Sequence, residues 1–108
     1  VTLSGSKHEK YASSSVAMSS DGKVIAMGFF HGKDMSEKNG QVIVYTLVNE
    51  KFWHPMGNVI LGDSKLLDFG KSISLSSDGK KMAVGAYLDT NTSGYARVFE
   101  FDEYSQYW

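Results

Sequence analysis

The sequence of 108 residues contains no cysteine. Disulfide bonds, thiolate zinc sites and a cysteine nucleophile are therefore excluded. The chain also has no large excess of either charge, because it contains 11 basic and 12 acidic side chains and its formal net charge is −1. Nucleic acids and anionic membrane surfaces bind basic proteins, so neither is an expected partner. No apolar run approaches the roughly 18 residues of a spanning helix, and we expect no membrane insertion.

The residues that are present have the proportions of a folded globular domain. Apolar residues make up 42% of the chain and charged residues 21%, which argues against disorder. The length allows one domain of modest size.

The most informative feature is an internal repeat. Residues 16–30 read VAMSSDGKVIAMGFF and residues 73–87 read ISLSSDGKKMAVGAY, with seven of the 15 positions identical. The match resumes after a loop of unequal length, where residues 40–45 align with 94–99 and residues 52–53 with 107–108. The chain is therefore predicted to be two copies of one unit, with repeat 1 covering approximately residues 1–57 and repeat 2 residues 58–108.

Each unit is predicted to be a meander of four short antiparallel strands. Asp-Gly between two apolar runs is a strong hairpin signal, because glycine adopts positive φ without strain and aspartate bonds to the turn backbone. The strands are expected at 16–19, 23–30, 41–48 and 52–61 in repeat 1, and at 73–76, 80–87 and 95–101 in repeat 2. Pro55 marks an end or bend in the fourth strand. No window has sustained helical spacing.

Several of these strands are apolar on both faces, which favours sheets that are covered on both sides. VIVYTLV and KVIAMGFF do not alternate as a sheet with one wet face would. Four-stranded units stacked around an axis bury both faces, so the sequence predicts an all-β fold consisting of two four-stranded antiparallel blades of a β-propeller. A β-sandwich or barrel would also accommodate the strands, although neither accounts for a four-strand repeat.

The order of four short motifs resembles the FG-GAP repeat of integrin-α-type propellers. Phe69-Gly70 is followed by Gly85-Ala86, then by Gly94 and an apolar strand ending at Phe99. The closest resemblance is to tandem repeats in large surface proteins of bacteria and protists. It covers nearly the whole chain, and it implies a propeller fold in an extracellular or cell-surface protein.

The sequence departs from that family at several positions. Tyr87 stands where the family has proline, and the Phe-Gly and Gly-Ala motifs are replaced in the first copy. Integrin-type repeats often carry a calcium loop of several aspartates, whereas each SSDGK segment has one. Calcium needs six to eight oxygen ligands, so Asp21 and Asp78 are predicted to form turns and no metal site is expected.

Two blades do not close a ring, since propellers typically have about four to eight. The two uncovered sheet faces indicate that further blades complete the structure. They would come from a longer protein of which this chain is a segment, an interpretation favoured by a start at Val1 and an end at Trp108. Alternatively, several copies would assemble head to tail, and three chains would give six blades.

The sequence gives no positive sign of catalysis. His8, His31 and His54 lack neighbours at metal-ligand spacing, and neither a G-x-S-x-G motif nor a glycine-rich phosphate loop occurs. We therefore expect a protein that is not an enzyme and that has no cofactor and no metal.

The expected function is that of a non-catalytic extracellular scaffold for adhesion, protein binding or assembly. Its partners would be other propeller blades, in a longer chain or a homo-oligomer, and the loops 32–39 and 89–93 would form its variable surface. The alternative is a carbohydrate-binding propeller, in which Trp53 or Trp108 stacks on a sugar and Asp89 or Asn91 supplies a polar group. Recurrence of the tryptophans once per repeat is also what packing between blades would produce. Asn91-Thr92-Ser93 is an acceptor triplet for N-glycosylation, which favours a secreted location.

Overall fold

A computed structural model of the chain describes residues 1–3, 13–29, 40–62, 69–86 and 94–108. Within these ranges the regular structure consists of β-strands in two antiparallel sheets, which confirms the all-β class. The same ranges contain no helix, and hence none long and apolar enough to cross a membrane.

The first sheet is an antiparallel meander of the first repeat. Its strands are β1 (Ser13–Met18), β2 (Val24–Phe29), β3 (Gln41–Val48), β4 (Phe52–Pro55) and β5 (Ile60–Leu61). They follow the order β1-β2-β3-β4, and β5 pairs with the other end of β3. The predicted fourth strand is thus present but interrupted between Pro55 and Ile60, where the proline ends the first segment.

The second sheet has three strands in the described residues, where the repeat predicts four. It consists of β6 (Ser72–Leu75), β7 (Lys81–Ala86) and β8 (Tyr95–Glu100) in that order. Beyond β8, an isolated bridge between Asp102 and Tyr107 closes the turn that follows.

The two SSDGK segments form the same turn. Gly22 and Gly79 have φ angles of 73° and 74°, in the left-handed region where glycine is favoured. The carboxylate of Asp21 accepts hydrogen bonds from the Ser19 hydroxyl at 2.7 Å and the Lys23 amide at 3.0 Å. In the second turn Asp78 accepts from Ser76 at 2.8 Å and from Lys80 at 2.9 Å. Both aspartates are therefore turn formers, as predicted.

Strand register divides each sheet into two faces, which we call face A and face B. Face A of the first sheet carries Val16, Met18, Ile25 and Ile43, and face A of the second carries their repeat equivalents Ile73, Leu75, Met82 and Arg97. Face B of the first sheet carries Ala17, Ala26, Val42 and Val44, and face B of the second carries the equivalents Ser74, Ala83, Ala96 and Val98.

The hydrophobic core lies where the two sheets meet. Face B of the first sheet packs against face A of the second, and the buried core cluster consists of Val24, Ala26, Val42, Val44, Ile60, Phe69, Met82, Val84 and Ala86. The sheets are therefore stacked head to tail, with unlike faces in contact. The described residues form this stack of two sheets and no closed ring.

Candidate functional site

The most closely packed part of the stack is the Phe69-Gly70 segment, which precedes β6. The Phe69 side chain is completely buried and meets the Phe99 ring edge to face, with ring centroids 6.2 Å apart. Gly70 has a φ of 95°, which strains any residue with a β-carbon. The segment belongs to the second repeat but is held against the first sheet.

The first sheet accepts this segment in a groove lined with glycine. The Ser15 hydroxyl donates a hydrogen bond to the Gly70 carbonyl. A β-carbon at Gly28 would overlap that carbonyl, and one at Gly40 would overlap the Phe69 backbone. Across the groove, a β-carbon at Gly62 would lie 2.7 Å from Cβ of Phe69. Two backbones can approach this closely because glycine has no side chain.

A second contact joins the two sheets at their turns. The Ser20 amide donates a hydrogen bond of 3.1 Å to the Ser77 carbonyl, which connects the equivalent turns directly. Gly79 lies over Val24, such that a β-carbon at Gly79 would be 2.6 Å from a Val24 methyl group. The stack is thus fixed at both ends of its strands.

Head-to-tail stacking leaves part of one face of each sheet exposed, although Met27 and Phe29 on face A of the first sheet are buried. On face A of the first sheet, Val16 is 66% and Met18 57% exposed, whereas their equivalents Ile73 and Leu75 pack against the core. On face B of the second sheet, Val98 is 75% exposed, whereas its equivalent Val44 is buried. At these positions the same sequence unit is therefore packed in one repeat and exposed in the other.

The two open faces differ in polarity. Val16 and Met18 make face A of the first sheet apolar at its β1 edge. Face B of the second sheet is mixed, because Lys81 and Glu100 lie directly opposite each other where the first sheet has Val24 and Thr46. The exposed surface is thus apolar at one edge on one side of the stack and mixed on the other.

Ionic contacts are found at the exposed turns. Ion pairs join Lys23 to Glu50 at 3.8 Å and Lys80 to Glu103 at 2.6 Å, again at equivalent places in the two repeats. The hydrogen bond from Ser19, followed by that from the Lys23 amide, lowers the pKa of Asp21. Hydrogen bonds from the Lys80 amide and the Ser76 hydroxyl lower the pKa of Asp78. Both carboxylates therefore accept hydrogen bonds from their own turns.

The described part of the chain contains no candidate metal site. Those residues include no group of three or more side chains that could hold a metal ion. His54 is exposed on β4, where its ring meets Phe52 edge to face at 6.4 Å. His8 and His31 lie outside the described residues.

Trp108, one of the predicted site residues, is hydrogen-bonded to the segment between β4 and β5. Its indole N–H donates to the Met56 carbonyl at 2.8 Å, and its backbone amide donates to the Asn58 side chain at 2.9 Å. Its ring packs beside Phe101, with centroids 5.2 Å apart. These are contacts of the kind that packing between repeats requires. Sugar stacking by Trp108 stays a prediction.

Of the other predicted site residues, Trp53 lies in the part of the chain that the structure describes. Trp53 lies half-buried on β4, paired with Leu47 of β3. Asp89 and Asn91, the latter also the predicted glycosylation position, lie outside the described residues. The combination of a tryptophan with a loop polar group stays a prediction.

Sequence reasoning did not identify the glycine-lined groove. Phe69-Gly70 was recognised only as a family-like motif, without a role. The signal was nevertheless present, because glycine recurs at the equivalent positions 28 and 85 and again at 40 and 94. Conserved spacing of glycines within strands indicates close backbone approach.

Comparisons with known proteins give no relative for this chain. No protein-family model matches the chain, and neither the curated proteins nor the solved structures give a match.

Proposed function

We propose that the two sheets are two blades of a β-propeller built from FG-GAP-like repeats. In this proposal the chain is a non-catalytic scaffold of the cell surface or extracellular space, and it assembles with like sheets through its open faces. The partner sheets belong to the same longer protein or to further copies of the chain. The surface location rests on the family resemblance and on the acceptor triplet at Asn91.

A single observation carries the proposal: the β1 edge of face A is exposed in the first repeat, whereas the equivalent edge is packed against the core in the second. Ile73 and Leu75 of the second sheet pack against the first sheet, while the equivalent Val16 and Met18 have no such cover. Exposed apolar patches of this kind mark protein contact sites. A sheet presenting a face B like that of the first sheet would cover Val16 and Met18 in the same way.

The type of contact supports assembly rather than simple pairing. Face A meets face B, so each added sheet presents a new open face of the same kind. Such heterologous contacts continue until a ring closes, or they form an open filament. Stacked four-stranded sheets that close a ring are the architecture of a propeller.

The proposal is tested by the native mass of the full chain, measured by light scattering over a range of concentrations. Val16→Glu places a charge on the open face A, and Tyr104→Glu places the same charge on a fully exposed turn residue as the control. We expect the native mass of the wild type and of the control to rise with protein concentration. The native mass of Val16→Glu should stay lower. The reason is the desolvation that a carboxylate would suffer when the apolar β1 edge of face A is covered.

Two results would contradict the proposal. A folded wild-type monomer at every concentration would mean that face A does not drive assembly. Equal association of all three proteins would place the contact elsewhere. Circular dichroism of each variant establishes that the fold is retained.

A further inference from the structure

The second sheet carries an open groove at the place that corresponds to the Phe69-Gly70 groove of the first sheet. It has a volume of about 550 Å³ and is lined by Lys71, Ser72, Gly85, Ala86, Gly94, Tyr95 and Ala96. In the aligned repeats, Ser72, Gly85 and Gly94 correspond to Ser15, Gly28 and Gly40. These three positions of the first sheet make the contacts with Phe69 and Gly70.

The geometry of the open groove matches that of the filled one. Ser72 lies beside Gly85, and a β-carbon at Gly85 would overlap the Ser72 hydroxyl, just as one at Gly28 would lie 2.5 Å from the Ser15 hydroxyl. In the filled groove the serine hydroxyl donates to the Gly70 carbonyl, while Ser72 is exposed. The floor is wider in the open groove, because Ala96 replaces Val42, whose methyl group approaches Gly70.

We propose that this second groove binds a Phe-Gly segment of a further repeat, and that it selects such a repeat over a second copy of this chain. The inference rests on the proposed function, since it names the partner that covers face B of the second sheet. The phenylalanine would lie over Gly94, and the glycine carbonyl would accept a hydrogen bond from Ser72.

The chain's own sequence argues against a second copy as the occupant. Its single Phe-Gly pair is already engaged, because Phe69 is completely buried and the Gly70 amide donates to the Gly85 carbonyl at 3.1 Å. Its first repeat has Ala12 and Ser13 at the aligned positions. Serine at the second position would bring a β-carbon where Gly70 has a φ of 95°.

The test uses the full chain carrying Val16→Glu, which blocks face A and leaves the groove unaltered. The ¹⁵N-labelled protein is titrated with a peptide of residues 63–75, and a matched peptide carries Phe69→Ala and Gly70→Ser. Weak binding is expected because the free peptide loses conformational entropy, and amide chemical shifts detect weak binding. We expect shifts at Gly85, Gly94 and Ala96, with the matched peptide binding about tenfold or more weakly.

Gly85→Ala supplies the second variant. It would place a methyl group in the groove, where the nearest atom to the new β-carbon is the Ser72 hydroxyl oxygen, at the end of a small side chain that can rotate. We expect this variant to fold normally and to lose the peptide-induced shifts. An absence of shifts in the groove at millimolar peptide, or equal shifts with both peptides, would overturn the proposal.

The result is independent of the test of face A. If Val16→Glu abolishes association and the peptide does not bind, the assembly proposal stands and the Phe-Gly partner is wrong. If the wild-type chain associates and Gly85→Ala alone prevents this, the occupant is a second copy and the inference is overturned.

Discussion

Gly28 and Gly85 occupy equivalent positions in β2 and β7, yet only Gly28 lies beneath another sheet. A β-carbon at Gly28 would meet the backbone of Gly70, which cannot move without displacing the Phe69 segment. A β-carbon at Gly85 would meet only the Ser72 hydroxyl, which can rotate away. The same residue type therefore has a different structural role in each repeat.

This difference predicts unequal effects of the same substitution. Gly28→Ala is expected to lower the free energy of unfolding by about 1–3 kcal/mol, because overpacked backbone contacts must shift. Gly85→Ala, the matched control, is expected to change it by less than about 1 kcal/mol. Urea unfolding of both variants measures the difference, and equal losses would contradict the assignment of Gly28 to the joint between the sheets.

At the scale of the elements, the two SSDGK turns are the best-determined parts of the chain. In each one, an aspartate accepts a hydrogen bond from a serine hydroxyl two residues before it and from an amide two residues after it. The serine hydroxyl in turn accepts from the first amide of the next strand, at 3.0 Å in both copies. Because these bonds are local, the sequence SSDGK is sufficient to specify them.

The turns also predict how stability depends on pH. The pKa values of Asp21 and Asp78 lie below their ordinary value of 3.8 in the folded chain, because hydrogen bonds favour the ionised form. A carboxylate with a lowered folded-state pKa stabilises the fold above its unfolded-state pKa. That contribution is lost as the pH falls through the folded-state value.

We therefore expect the midpoint of urea unfolding to fall as the pH is lowered from about 5 through the ordinary value of 3.8 and below it. A double variant with Asp21→Asn and Asp78→Asn keeps both acceptor oxygens but carries no charge to titrate. Its midpoint should be lower than that of the wild type at pH 5 and should depend less on pH. An unchanged pH dependence would show that other carboxylates control acid unfolding.

At the scale of the whole molecule, stacking makes equivalent side chains unequal. Val44 and Val98 occupy the same position of face B, but Val44 is 1% exposed between the sheets and Val98 is 75% exposed. The burial of Val44 depends on Met82 and Val84, which lie almost 40 positions along the chain in the next repeat.

The matched pair Val44→Ala and Val98→Ala measures the contribution of the stack. Val44→Ala is expected to destabilise the fold by about 1–3 kcal/mol through lost burial and a residual cavity. Val98→Ala in the isolated chain should have an effect within about 0.5 kcal/mol. Comparable losses in the two variants at low protein concentration would mean that the sheets are not stacked in solution as described.

The predicted strands agree with the structure where local patterns were unambiguous. β3 was predicted at residues 41–48 and spans Gln41–Val48, since an apolar run is bounded by Gly40 and the turn at Asn49 and Glu50. The fourth strands were predicted less well. In the first repeat Pro55 ends β4, and in the second the described residues beyond β8 contain an isolated Asp102–Tyr107 bridge and no strand.

The candidate contact surfaces were only partly foreseeable. The recurrence of Trp53 and Trp108 drew attention to aromatic stacking, but Trp108 uses its indole N–H within the chain. The Phe69-Gly70 groove was more informative about contacts between repeats and was missed as a site. Its residues come from β1, β2 and the segments before β3 and β6, and no local pattern joins them.

The sequence by itself determined the strands, the paired turns and the equivalence of the two repeats. These features depend on hydrogen bonds and side-chain patterns within a few residues, and such patterns are visible in one dimension. Only the tertiary structure decided which face of each sheet is covered and which groove is filled. Apolar side chains occur on both faces, so burial is set by contact between distant segments, and that contact makes Val44 and Gly28 differ from their equivalents Val98 and Gly85.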